Sequence, residues 1–130
     1  MNFANYVDVA ARNAPDRTAL TDHRREVTFR ELAGETNAVA NALADLGIGA
    51  GDRVALYLPN SVTFVTAYFG AMKRGAVPFP INMRFKGHEI EYVLEDSGAV
   101  AVVTAGQFED AIADLDVDAL EHLIVGDGER

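Results

Sequence analysis

Helical and strand-length apolar patterns alternate along nearly the whole chain, and this alternation constrains the fold more than any other feature. Strands separated by helices cannot pair as hairpins. The economical solution is a largely parallel sheet with helical crossovers, so the expected class is α/β. The clearest strand is Val54-Ala55-Leu56-Tyr57-Leu58, five consecutive apolar residues with no polar face. Such a run suits a strand covered on both sides.

The other elements are placed by their punctuation. Phe3, Tyr6, Val7, Ala10 and Ala11 recur at helical spacing until Pro15-Asp16 breaks the pattern. Residues 18–21 read as a short strand, Asp22-His23-Arg24-Arg25 as a turn, and Val27 as a brief return strand. Thr28-Phe29-Arg30-Glu31 fits a capping box: the threonine hydroxyl meets a first-turn N–H and Glu31 reaches back to the cap's own N–H. From there Phe29, Leu32, Ala33, Thr36, Val39, Ala40, Leu43 and Leu46 form one helical face, which Gly47 ends as a left-handed cap.

After the strand at 54–58, Asn60 or Ser61 is the expected N-cap of a helix running to about Arg74. Val62, Phe64, Val65, Ala67, Tyr68, Phe69, Ala71 and Met72 leave it little polar face, so burial on several sides is expected. A chain of 130 residues is expected to leave part of that helix bare as an apolar patch. A strand at 76–80, a helix at 87–96 and a strand at 99–103 continue the alternation. A helix at 107–115 with Phe108, Ala111, Ile112 and Leu115 on one side, and a last strand at 122–125, complete it.

Charge is divided unevenly. Residues 1–88 hold 8 acidic and 10 basic side chains, residues 89–130 hold 12 acidic and 1 basic, and the formal total is −9. The acidic last third makes nucleic acid a poor partner. Two lysines against nine arginines, in an acid-rich chain, suggest a protein adapted to high salt. The longest mostly apolar stretch, residues 62–72, is far short of the roughly 20 needed to span a bilayer, so no transmembrane segment is expected. The first eight residues lack the basic start and apolar core of a signal peptide, and no cysteine is present. A cytoplasmic location is the expectation.

Few residues suggest chemistry. Gly47-Ile48-Gly49-Ala50-Gly51 has helix before and strand after, the reverse of a phosphate cradle, and reads as a cap and turn. His23, His88 and His122 lack a second ligand at metal spacing. Glu91 and Glu95 read as the wet face of a helix, and Asp110, Asp114, Asp116, Asp118 and Glu121 as an acidic surface without the order of a calcium loop. Ligands of parallel sheets usually lie beyond the carboxyl ends of the strands, which points to 59–61, 80–84 and 104–106. There Asn60 and Ser61 either cap a helix or help bind an anion. Asn82 and Arg84 follow a strand, where the guanidinium either meets a phosphate or pairs with Glu89 or Glu91.

Four segments in order resemble the adenylate-forming, AMP-binding enzyme superfamily. Val27-Thr28-Phe29-Arg30-Glu31-Leu32 resembles its first core motif, and Asp52-Arg53-Val54-Ala55-Leu56-Tyr57-Leu58-Pro59-Asn60-Ser61 the strand and turn that follow. Ala71-Met72-Lys73-Arg74-Gly75-Ala76-Val77-Pro78-Phe79-Pro80-Ile81-Asn82 is similar to the second motif, and Glu91-Tyr92-Val93-Leu94-Glu95-Asp96-Ser97-Gly98-Ala99 to the helix and strand after it. Asn82-Met83-Arg84 is more similar to acyl-CoA synthetases, the fatty-acid–CoA ligases among them, than to amino-acid-activating relatives.

The resemblance implies an N-terminal subdomain of that enzyme fold, with residues 1–130 a partial AMP-binding domain that stops before the phosphate loop. It implies a ligase that converts a carboxylic acid and ATP, with Mg2+, to an acyl-adenylate and then to a coenzyme A thioester. The family's phosphate loop, adenine- and ribose-binding residues and catalytic lysine lie downstream. No catalytic or metal-binding residue is therefore transferred, the isolated chain is expected to be inactive and to bind none of ATP, Mg2+ or coenzyme A tightly, and its expected partner is the remainder of the synthetase. The rival expectation is a non-enzymatic interaction module or one half of a split synthetase. A phospho-receiver or flavin-binding domain is disfavoured, lacking an acidic cluster or a Thr/Ser-rich phosphate loop after an early strand.

Overall fold

The structure, a computed structural model, describes residues 5–125. The elements run in the order α1 (Asn5–Asn13), β1 (Thr18–Thr21), β2 (Glu26–Thr28), α2 (Phe29–Asp45), β3 (Arg53–Tyr57), α3 (Val62–Lys73), β4 (Val77–Pro80), α4 (His88–Ser97), β5 (Ala101–Thr104), α5 (Glu109–Ala113) and β6 (His122–Val125). Phe3 and the glycine-rich stretch after residue 125 lie outside the described residues.

The class is α/β, as the alternation predicts. β1 and β2 form a separate antiparallel hairpin, and the remaining four strands form one parallel sheet in the order β4-β3-β5-β6. β3 is central: Ala55 stands opposite Phe79 on one side and Val102 on the other. Its side chains alternate between two cores. Val54, Leu56 and Leu58 face α2 and α3 together with Ala67, Ala71, Val103 and Ala105. Ala55 and Tyr57 face Ile90 and Leu94 of α4 and Ile112 of α5. Both faces are therefore covered, which is why the strand carries no polar residue between 54 and 58.

The capping box forms as the sequence dictates: Glu31 N donates to Thr28 Oγ1 at 3.2 Å and Thr28 N donates to Glu31 Oε1 at 2.8 Å. Those bonds hold the Glu31 carboxyl below its ordinary range, the Thr28 backbone N–H being the larger cause. Gly47 takes φ +80 just beyond the end of α2, a conformation that suits glycine.

Every residue of α3 is buried or half-buried, and none of its large side chains is among the exposed ones, which are Tyr6, Val9, Leu46, Val77 and Tyr92. The bare patch expected on this helix is thus reduced to the half-buried Phe64, Val65, Tyr68, Phe69 and Met72. The reason is a second layer: Phe64 and Tyr68 pack toward the sheet, while Val62, Val65 and Phe69 meet α1, the hairpin and the start of α2 through Val7, Val27 and Leu32. Lys73 fixes this layer by donating to Asp8 on α1 at 2.7 Å and to Asn37 on α2.

The helix expected at 107–115 is interrupted. Residues Gly106–Phe108 form a single 3-10 turn, and α5 lasts only five residues. Ile112 is buried as expected, but Ala111 is exposed. Glu109 and Asp110 favour the helix start, whereas Asp114 follows its end, where the partial negative charge of the helix opposes another carboxylate.

Candidate functional site

The order β4-β3-β5-β6 creates a switch point. From β3 the chain crosses to β4 on one side, and from β5 it crosses to β6 on the other, so the two crossovers diverge at the carboxyl ends of β3 and β5. An open concavity of about 750 Å3 lies there. Leu58 and Pro59 line it after β3, Ala105 and Gln107 after β5, and Glu35 of α2 and Asp22 of the hairpin turn close its sides.

Asp22 organises this wall. Its Oδ1 accepts from Arg24 N at 2.8 Å and Arg25 N at 2.9 Å, closing the turn, and its Oδ2 accepts from Val62 N at 2.8 Å. One carboxylate thus shapes a turn and satisfies a first-turn N–H of a helix 40 residues away. The Val62 bond first, then those from Arg24 and Arg25, lower its pKa from 3.8 to about 2. Arg25 forms a two-pronged pair with Glu35, at 2.7 and 3.0 Å.

Of the two cap candidates the structure selects Ser61. Its Oγ accepts from Phe64 N at 3.1 Å and donates to the Pro59 carbonyl at 3.0 Å. Ser61 lines the concavity, whereas Asn60 is exposed and is not part of its wall. With Val62 N donating to Asp22 and Phe64 N to Ser61, the helix start is largely self-satisfied.

Asn82 and Arg84 sit on the neighbouring loop, beyond β4, and do not line the concavity. Asn82 Oδ1 accepts from Arg84 N at 2.9 Å, a side-chain-closed turn. The Arg84 guanidinium is exposed and pairs with neither Glu89 nor Glu91; Glu89 instead accepts from Lys86 N at 3.0 Å. Arg84 is therefore a cation without a partner among the described residues.

The same loop is held from beneath by Tyr57. Its hydroxyl lies 2.7 Å from the Phe85 carbonyl and 3.3 Å from the Met83 carbonyl, and Lys86 Nζ lies 3.4 Å from it. Neither Tyr57 nor Asp22 was legible as a site residue. Tyr57 reads as one more apolar strand position, and Asp22 as an ordinary turn residue.

The described residues gather no carboxylate cluster for Mg2+: no group of three or more His, Asp and Glu comes together among them. The amides of the glycine-rich turn are engaged, with Gly49 N donating to Asp52 and Gly51 N to the Gly75 carbonyl. No step through ATP or Mg2+ is therefore assigned to these side chains. Among the described residues no helix is long and apolar enough to cross a membrane.

Known proteins resemble this chain in sequence and in fold. The chain is 34% identical over 115 residues, 88% of its length, to a medium/long-chain-fatty-acid--CoA/3-oxocholest-4-en-26-oate--CoA ligase of Mycobacterium marinum. It is 44% identical over 77 residues, 59% of its length, to the long-chain-fatty-acid--CoA ligase FadD13 of Mycobacterium tuberculosis. It spans 21% and 15% of those two proteins, about a fifth or less of the curated relatives' length. Its structure matches the crystal structure of the N-terminal domain of FACL13 from Mycobacterium tuberculosis with a TM-score of 0.89 and 32% identity, covering 98% of this chain and 34% of that one. The anthranilate CoA ligase AuaEII in complex with anthranoyl-AMP matches with a TM-score of 0.84 and 38% identity, covering 92% of this chain and 24% of that one. Residues 7–129 match the family described as AMP-binding enzyme, almost the whole alternating pattern from α1 through β6, and the chain belongs to that family.

Proposed function

We propose that this chain is the N-terminal structural portion of an AMP-forming acid–CoA ligase, the whole enzyme activating a carboxylic acid with ATP and Mg2+ as an acyl-adenylate and passing the acyl group to coenzyme A. The observation that carries this reading is that nearly all of the chain is accounted for by the opening part of such ligases, at a TM-score of 0.89. The side chains support a scaffolding role: Thr28, Glu31, Ser61 and Asp22 satisfy helix starts. Stabilising a phosphoryl transition state requires positioned cations and free amides, and Arg84 alone does not supply them. In the intact ligase, Arg84 on the turn closed by Asn82 meets a phosphate of ATP or coenzyme A, while Ser61 lines the crevice and Asn60 stands beside it. The remainder of the synthetase is the partner, the compartment is the cytoplasm, and the acidic, lysine-poor composition suits high salt.

Two measurements test this. The chain alone, given ATP, Mg2+ and a panel of fatty and aryl acids, releases no pyrophosphate; turnover would overturn the scaffolding role. Grafted in place of the corresponding opening segment of the Mycobacterium marinum ligase, residues 7–129 yield a chimera that still forms acyl-CoA. A chimera that folds but is inactive, with the parent ligase active alongside, would count against the proposal.

A further inference from the structure

We propose that Tyr57 is a positioning residue: its buried hydroxyl clamps the carbonyls on either side of Arg84 and holds that guanidinium ready for a phosphate-bearing ligand. The inference rests on the reading of Arg84 given above and adds what fixes it in place.

The clamp is built on the buried central strand of the sheet. Tyr57 closes the central strand β3, is fully buried, and meets Phe108 edge-to-face with ring centroids 5.7 Å apart. Its own carbonyl accepts from Thr104 Oγ1 at 2.8 Å, which ties the ends of β3 and β5 together. A phenylalanine would fill the same space. The hydroxyl therefore adds only its bonds to the loop, and these fall on the residues before and after Arg84.

With one proton to give, the phenol donates to the Phe85 carbonyl at 2.7 Å, shares it with the Met83 carbonyl at 3.3 Å, and accepts from Lys86 Nζ at 3.4 Å. Bonds in such a chain strengthen one another. From the opposite side the Arg84 amide donates to Asn82 Oδ1, and Phe85 N donates to the Asn82 carbonyl at 2.9 Å. The backbone is thus fixed at residues 83, 84 and 85 while the guanidinium stays exposed and unpaired among the described residues. A cation held this way loses little backbone freedom when an anion arrives, so binding keeps more of the ion-pair energy.

The test uses the 15N-labelled chain, titrated into the millimolar range with coenzyme A and separately with ATP because tight binding is not expected of the chain alone, following the Arg84 side-chain Nε and the loop amides. The expected result is a shift at the Arg84 Nε and at the loop amides, and the loop-amide shift is lost in Arg84→Ala. Tyr57→Phe keeps the β3 and β5 amide shifts, exchanges its loop amides faster, and binds about two- to tenfold more weakly, the range a single hydrogen bond commands. The double variant then binds no worse than Arg84→Ala alone, a non-additivity that a purely structural tyrosine would not give. Wild-type binding by Tyr57→Phe, with Arg84→Ala impaired, overturns the clamp and leaves the Arg84 reading standing. Additive losses also overturn the clamp, because Tyr57 would then act by another route. An unimpaired Arg84→Ala, or no response in the wild type, overturns the Arg84 reading and the clamp with it. If Tyr57→Phe does not fold, Asn82→Ala loosens the same loop from its solvent side, and the same outcomes apply.

Discussion

The two faces of the parallel sheet are covered in different ways. Under α2 and α3 the core is rich in small residues, with Ala67, Ala71, Ala76, Ala101 and Ala105 among aliphatic side chains. At one crossing, Gly70 of α3 lies so close to Val39 of α2 that an added Cβ would stand 2.4 Å from Val39 Cγ1. On the other face, the ten-residue α4, a 3-10 turn and the five-residue α5 cover Tyr57 and Val102 with larger side chains. The first face is locked by long helices at short range. The second is assembled from shorter elements, and it carries the loop with Asn82 and Arg84. The concavity with Ser61 and Asp22 thus opens on the first face and the loop with Asn82 and Arg84 lies on the second, with β3 belonging to both.

The largest test of this difference is a matched pair of truncations. Leu56 and Ile112 are both almost fully buried, one on each face. Large-to-alanine changes cost about 2–5 kcal/mol, and the loss depends on how far the surroundings relax. Leu56→Ala should fall near the upper end and Ile112→Ala near the lower, because a five-residue helix can settle into the space. Urea unfolding free energies compare the two directly. An equal or greater loss at Ile112 breaks the comparison.

Gly70→Ala comes next. Helix propensity alone favours alanine by about 0.5–1 kcal/mol, but overpacking a tight contact costs about 1–3 kcal/mol. The expected result is net destabilisation, only partly relieved by Val39→Ala in the same chain, because the Cβ that alanine keeps would still stand 2.6 Å from the added one. A Gly70→Ala protein with a raised melting temperature would show that the crossing has room.

A smaller effect concerns acid. Asp22 has its folded pKa depressed to about 2 from 3.8, so its contribution is fully present above about pH 4 and is lost as the pH falls toward 2. Asp22→Asn should be less stable at neutral pH and should lack that part of the acid dependence. Glu31 is lowered as well, so the informative quantity is the difference between the two proteins across pH 2–5. Parallel curves would remove Asp22 from the account.

The smallest is Thr36→Val. Thr36 Oγ1 is buried on α2 without a hydrogen-bond partner among the described residues. Valine has nearly the same shape, and removing an unsatisfied hydroxyl should leave stability unchanged or raise it by up to about 1 kcal/mol. A clear fall in melting temperature would mean that the hydroxyl has a partner, such as a bound water.

What the sequence determined is local. Thr28 and Glu31 are three residues apart, Ser61 caps three residues ahead, and the run 54–58 has no polar face in any arrangement, so these features follow from chain geometry over a few residues. Periodicity shows which side of an element is apolar, but not which partner covers it. That is why α3 is more covered than its apolar pattern alone predicts, why the helix at 107–115 breaks into a turn and a short helix, and why the choice between Asn60 and Ser61 stayed open in the sequence.

The tertiary structure alone decided the strand order, and with it the crevice between β3 and β5. It alone joined Asp22 to Val62 across 40 positions and Tyr57 to Met83 and Phe85 across 26 and 28. Bonds over such separations depend on the whole chain being folded, because loop closure must be complete before either group meets its partner. Motifs confined to a few residues carry no record of them.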